Sequence, residues 1–227
     1  MILKILGTRG ETKISCLGYA RHSGILIDDA ILCDIGDERY LKANPEIILI
    51  THFHPDHAFF ISRKKQIHGP PIYAPEKPEF FPGVNVVLAP FKQDVYRITP
   101  VPVVHSIKVK AQGYIIEKNQ KRIFYTGDMV EIHQAYRDLP KMDMVITEAS
   151  FLRKGGLVRK TAAGDKYGHA GVKDLVSFFK SFTTRIVFTH FGTWFLKDPP
   201  NGIKKIKALE TADLTIDVAS DGKIFRI

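Results

Sequence analysis

Thr51-His52-Phe53-His54-Pro55-Asp56-His57 sets three imidazoles and a carboxylate within six residues, directly after the apolar run Ile47–Ile50. Clustered imidazoles repel one another when protonated, and buried polar groups cost free energy unless satisfied, so a metal ion is what makes such a cluster favourable. On extended backbone, side chains two apart project to the same side. His52 and His54 therefore face one position, while Asp56 and His57, at the start of an expected helix Asp56–Lys65, can face a second. Two ions about 3.5 to 4 Å apart need more donors than this segment holds. Three later strand ends offer them: His105 after Val103-Val104, Asp128 after Phe124-Tyr125-Thr126-Gly127, and His190 after Phe188-Thr189. Alone, each would read as a surface or hydrogen-bonded residue; together, and in this order, they read as a ligand set.

The elements that must carry these residues are mostly short strands. Apolar runs punctuated by Gly, Asp and Asn predict strands over Ile2–Leu6, Ile14–Tyr19, Gly24–Asp28, Ile31–Asp34 and Glu46–Thr51. More follow at Val84–Leu88, Val95–Ile98, Val101–His105, Ile107–Glu117, Arg122–Thr126, Met142–Thr147 and Ile186–Thr189. Val172, Leu175, Val176 and Phe179 share one helical face after Gly171. Two successive strand-rich blocks with interspersed helices predict two packed sheets covered by outer helices.

A chain of 227 residues, 44% hydrophobic and 25% charged, has the balance of a soluble globular protein. No linker, low-complexity tract or repeat divides it, so one domain over residues 1–227 is expected. The opening apolar run breaks at Gly7 and no stretch reaches membrane-spanning length, which predicts a cytoplasmic protein with no membrane partner. Cys16 and Cys33 fall in strand-like segments without a CxxC pattern and read as buried thiols. The net charge of +9 and pI near 9.4 favour anionic partners, although a solvated basic surface produces the same numbers.

The series HxHxDH, His, Asp, His, met in this order from His52 to His190, resembles the metallo-β-lactamase superfamily. That resemblance implies an α/β fold of four layers, an αββα sandwich with the site along one edge where the sheets meet. Carried over residue by residue, His52, His54 and His105 hold one divalent ion, Asp56, His57 and His190 a second, and Asp128 bridges them. Zinc is the expected metal, with manganese the alternative and iron less favoured. Asp128 stands where classical β-lactamases of this fold often have cysteine, and His54 where diiron oxygen-reducing relatives have glutamate. Both differences point to the hydrolase and nuclease branches.

Glu148, closing the strand Met142–Thr147, and His169 in Tyr167-Gly168-His169-Ala170-Gly171 resemble motifs of the phosphodiesterase branch that includes ribonuclease Z and cyclic phosphodiesterases. There the histidine assists at the scissile phosphate and the glutamate orients it. The basic run carrying Arg153, Lys154, Arg159 and Lys160 is a candidate phosphate contact or a mobile surface loop. The long arm that ribonuclease Z uses for tRNA has no room between His105 and Asp128. Phe60 replaces a glycine common in the family and is expected to narrow the site or give it an apolar contact, which leaves substrate size open. His22, His68 and His133 lack partner patterns and read as structural or surface residues, and Trp194 and Phe195 as core or a substrate wall.

These features predict a binuclear metal-dependent hydrolase, a phosphodiesterase with a metal-bridging hydroxide as nucleophile, oriented by Asp56 and assisted by His169 and Glu148. Its substrate would be an anionic small molecule or a nucleotide or nucleic-acid phosphodiester. Two other readings stand beside it: a thioester or lactone hydrolase like glyoxalase II and the lactonases, and a non-catalytic, metal-bearing nucleic-acid-binding subunit.

Overall fold

The computed structural model describes residues 1–227. Its first sheet has seven strands in the order Ile224–Arg226, Ile2–Gly7, Gly24–Ile27, Ile31–Cys33, Ile47–Leu49, Ile72–Ala74 and Val84–Val86. The second has eight. Glu131–Ile132, Tyr96–Val104, Gln112–Lys118, Lys121–Tyr125, Met144–Ala149, Arg185–Phe191 and Thr215–Val218 run across it, and Phe91–Gln93 pairs with Tyr96–Val104 off that path.

Strands such as Ile47-Ile48-Leu49 are buried along their whole length. The reason is that both faces of each sheet are covered. Ile47 and Leu49 meet Tyr114, Ile123 and Ile146 of the other sheet in the central layer, while Ile48 points outward to Tyr40, Phe53, Phe60 and Phe81. The outer face of the second sheet packs Phe124, Val145 and Phe188 against Val172, Leu175 and Phe179 of the helix Val172–Phe179 and against Ile206 of the helix Pro199–Lys207. Each such side chain contributes about 1.5 to 3 kcal/mol of transfer free energy. The layers are those of the expected αββα sandwich, but the helical cover on the first sheet is thin. It consists of the 3-10 helix Glu38–Ala43 and one turn at Phe60–Arg63.

Several local expectations are corrected. Ile14–Tyr19 is a loop, its residues Ile14, Cys16 and Tyr19 lying on the outer core of the second sheet. Asp221 fastens that loop from the far end of the chain, accepting bonds from the Ala20 and Arg21 amides and the Thr8 hydroxyl. The expected helix Asp56–Lys65 is helical only over Phe60–Arg63. Residues 57 to 59 are bonded instead to Ile35, with Ile35 N donating to His57 O and Phe59 N to Ile35 O. This inter-segment bridge replaces the helix's own bonds and holds Asp56 and His57 in a turn. The strand expected over Ile107–Glu117 begins only at Gln112, and Val95–Ile98 joins Val101–His105 in one strand, Tyr96–Val104. The basic run is not a plain loop: Leu157–Lys160 and Lys166–His169 form a separate two-stranded ribbon. Cys33 is buried and Cys16 half-buried, both free. No helix is long and apolar enough to cross a membrane.

Candidate metal centre

The seven expected donors come from four chain segments and meet at one edge of the sandwich. His52 Nε2 lies 3.0 Å from His54 Nδ1, which lies 3.2 Å from His105 Nε2. Asp56, His57, Asp128 and His190 form a second group, all four buried. Asp128 stands between the two. Its Oδ2 is 3.9 Å from His52 Nε2 and 3.9 Å from His105 Nε2, and its Oδ1 is 3.3 Å from His57 Nε2 and 3.2 Å from His190 Nδ1.

Local backbone chemistry aims these side chains. Asp128 follows Gly127, whose φ of +60° suits glycine and whose missing Cβ would lie 2.7 Å from the Thr51 side chain. His190 is a bulge. Glu148 pairs with Thr189 and Ala149 with Phe191, so His190 is skipped, and its φ of +51° is the strained conformation that turns the ring into the site. Gly10 lies against that ring, with a Cβ position only 2.8 Å from His190 Cε1.

The two groups differ in charge. Burial and the neighbouring His105 pull His54 down to about 4, and burial also holds His52 and His105 below the usual histidine range. Three neutral imidazoles thus converge with lone pairs available. In the second group burial opposes charging, yet Asp128 and its neighbouring carboxylates raise His57 and His190. Burial would likewise raise Asp56 and Asp128, but these imidazoles hold both below the usual carboxylate range. The same carboxylates that favour charge on these imidazoles would favour a bound cation. Moreover, His57 Nε2 and Asp128 Oδ1 are buried without any hydrogen-bond partner. Orphaned buried donors and acceptors are costly, and nitrogen and carboxylate donors in this arrangement fit divalent metal ions.

Sequence reasoning passed over the groups behind the donors. Asp34, fully buried after Ile31–Cys33, accepts from His57 Nδ1 at 2.7 Å, the Tyr125 hydroxyl at 2.7 Å and the Thr51 amide at 2.8 Å. His105 Nδ1 donates to Gly168 O at 2.9 Å, and Ser150 Oγ lies 3.0 Å from His190 Nδ1. An aspartate closing an apolar strand was the visible signal for Asp34. Asp34→Ala would leave three buried groups unpaired and free the His57 ring. Metal affinity is expected to fall roughly 10- to 100-fold, with about 1 to 3 kcal/mol of stability lost per unpaired group. Chelator competition and denaturant melts check this, and unchanged affinity would remove Asp34 from the support of the centre.

Above the donors lies a cleft with lobes of about 940 and 620 Å³ that share Glu11, His54, Asp56 and His169. His169 Nδ1 is 2.9 Å from Glu148 Oε2, and buried Glu148 also accepts from the Met129 amide. Burial works against a charged His169, but the Glu148 carboxylate overrides it and lifts the ring to about 9. Nδ1 being occupied, Nε2 is the atom left for the cleft.

Arg153, Lys154, Arg159 and Lys160 are exposed and line neither lobe, although Leu157 does. Arg153 Nε is turned back to Gly156 O at 2.8 Å. Phe60 corrects an expectation: it is fully buried between Phe53 and Phe81 and touches the core, not the site, while Phe59 lines the cleft. His22 lines the larger lobe, with its ring held by Arg9. Trp194 lines the smaller lobe and bonds Ala149 O, whereas Phe195 is core.

The family model described as "Beta-lactamase superfamily domain" matches residues 37–191. No curated protein matches the sequence. Among solved structures, the metallo-β-lactamase fold protein YhfI from Bacillus subtilis superposes with a TM-score of 0.69 at 17% identity over 99% of each chain. A diphosphatase of the PhnP family gives 0.71 at 17% identity, covering 100% of this chain and 97% of its own. Human tRNase Z, short form, gives 0.67 at 17% identity, covering 100% and 99%. At such identities the likeness is one of fold. The sandwich, the donor cluster at its edge and a family match across most of the length together make this chain a member of the β-lactamase superfamily, a metal-dependent hydrolase of the metallo-β-lactamase fold.

Proposed function

We propose that the protein is a phosphodiesterase that works with two divalent ions, zinc the expected metal and manganese the alternative. The observation that carries this reading is His169, which lines the cleft beside Asp128 and is held from beneath by buried Glu148; although His169 also groups with His105 and Asp128, the Glu148 bond occupies its Nδ1. His52, His54 and His105 would hold one ion, Asp56, His57 and His190 the other, with Asp128 shared. Bound divalent ions supply a water of lowered pKa and neutralise charge on a phosphoryl oxygen.

The protein's own groups do the rest. Asp56 accepts a hydrogen bond from the attacking water and orients it. Glu148 fixes the His169 ring by its Nδ1, and Nε2 delivers a proton to the departing oxygen. That proton matters for an alkoxide leaving group. A thiolate, the conjugate base of a thiol with pKa near 8.5, leaves without one, so a thioesterase has little use for the pair. Two solved structures of this fold are named a diphosphatase and a tRNase, both names for cleavage at phosphorus, and a net charge of +9 suits an anionic substrate.

The test is to assay metal-loaded protein against bis-p-nitrophenyl phosphate, RNA, a thioester and a lactone, with elemental analysis alongside. Phosphodiester hydrolysis at two ions per chain is expected. One ion or none, unchanged by soaking in zinc or manganese, would rule out the binuclear centre. Thioester or lactone turnover without phosphodiester hydrolysis would make this a carbonyl hydrolase. Two ions with no turnover at all would leave the nucleic-acid-binding subunit.

A further inference from the structure

The ribbon of Leu157–Lys160 and Lys166–His169 belongs to neither main sheet. Its register sets Leu157 opposite His169 and Arg159 opposite Tyr167. Directly opposed residues share a face, as do alternate residues along one strand. Leu157, Arg159, Tyr167 and His169 therefore occupy one face of the ribbon. Leu157 and His169 both line the smaller lobe of the cleft, which identifies that face as the cleft side. The opposite face carries Val158, Lys160 and Lys166, all exposed, with Lys166 Nζ 3.0 Å from both Glu131 oxygens. Gly168 is bonded to His105 twice, through its N–H to His105 O at 2.7 Å and through its carbonyl to His105 Nδ1 at 2.9 Å.

Arg159 and Tyr167 lie one residue pair beyond the cleft wall, about 7 Å along the strands. Neither is used internally. The ribbon's side-chain bonds join Thr161 to Asp165, Lys166 to Glu131 and His169 to Glu148. Arg159 is exposed and Tyr167 half-buried. Lys197, also without an ion pair, borders the smaller lobe, against one acid outside the donor set, Glu11. An unpaired guanidinium beside a partly exposed aromatic ring is a combination that grips a nucleotide, the ring stacking on the base and the cation meeting phosphate.

We propose that the cleft-side face of the ribbon is a nucleotide subsite, in which a nucleobase flanking the scissile phosphodiester stacks on Tyr167 and the next phosphate pairs with Arg159. This rests on the phosphodiesterase reading above and extends it to a substrate class, a dinucleotide or short oligonucleotide. The ribbon then serves two ends. The edge of its second strand orients His105 through the Gly168 backbone, and its cleft-side face selects the substrate.

The experiment measures binding and turnover separately in wild type, Arg159→Ala, Arg159→Glu and Tyr167→Ala, all at solvent-accessible positions whose change leaves the donor groups intact. Calorimetry on metal-loaded protein uses inorganic phosphate and a trithymidylate whose linkages carry a methylene in place of the leaving oxygen. Stacking is worth roughly 5- to 150-fold per base, so Tyr167→Ala should weaken the oligonucleotide at least fivefold, and Arg159→Glu more than Arg159→Ala. Inorganic phosphate, held by the metals alone, should bind within twofold of wild type in all three. In turnover of unmodified trithymidylate the loss should appear in KM, with methyl p-nitrophenyl phosphate changed less than twofold. Unaltered oligonucleotide binding in the variants, or equal losses for phosphate and oligonucleotide, would overturn the subsite. If the variants lose oligonucleotide affinity while wild type hydrolyses no phosphodiester, the subsite stands and the phosphodiesterase reading falls. If wild type hydrolyses trithymidylate and the variants match it, the reverse holds.

Discussion

Asp128→Ala is expected to reduce metal content to one ion per chain or fewer and to lower turnover by roughly a thousandfold or more. Its two oxygens face different donor groups, Oδ2 toward His52 and His105 and Oδ1 toward His57 and His190. No other carboxylate reaches both. Loss of metal-derived charge stabilisation, about 4 kcal/mol or more, corresponds to that factor. The fold should persist, because Asp128 lies beyond the end of the strand Lys121–Tyr125 and belongs to none of the three apolar clusters. Elemental analysis, turnover of bis-p-nitrophenyl phosphate and a circular dichroism spectrum decide the matter together. A variant with two ions and full activity would remove Asp128 from the centre, and an unfolded one would make it structural. Asp128→Asn keeps the shape without the charge and should lose metal while staying folded.

His169→Ala is expected to leave metal content unchanged and to lower hydrolysis of a phosphodiester with a poor leaving group by roughly 10²- to 10⁴-fold, the usual contribution of a general acid. A p-nitrophenolate leaving group needs little protonation, so bis-p-nitrophenyl phosphate should suffer far less. His169 and Glu148 act as a unit, so Glu148→Gln should reproduce part of the same contrast with no further loss in the double variant. His169 Nδ1 is 3.8 Å from Asp128 Oδ2, close enough that metal content has to be measured. Loss of an ion in His169→Ala would make it a ligand. Equal losses on both esters would mean that it binds the phosphate instead of protonating the leaving oxygen.

The donors were legible because metal binding demands particular residue types, and few residue types can do it. Three histidines and an aspartate after an apolar strand, then His105, Asp128 and His190 at later strand ends, stand out in any reading of the chain. The sandwich was legible for a related reason: apolar runs of strand length with glycine and aspartate between them leave two covered sheets as the economical way to bury them. The helix Val172–Phe179 was legible from its 3.6-residue period alone.

What the sequence could not announce depends on partners distant along the chain. The helix expected at Asp56 fails because Ile35 takes its backbone bonds, and Ile14–Tyr19 is held as a loop by Asp221. Phe60 occupies the core and not the cleft because the turn at residues 57 to 59 redirects the chain. The same holds at the site. Asp34 matters because Thr51 and Tyr125 reach it from two other strand ends and His57 from a turn, and His190 is aimed by a bulge that exists only because Glu148 and Ala149 pair around it. Residue type and spacing therefore picked out the candidate donors, and periodicity the layers that bury the core. Register, bulges and long-range hydrogen bonds, set by contacts between segments far apart in the chain, decided where each of those side chains points.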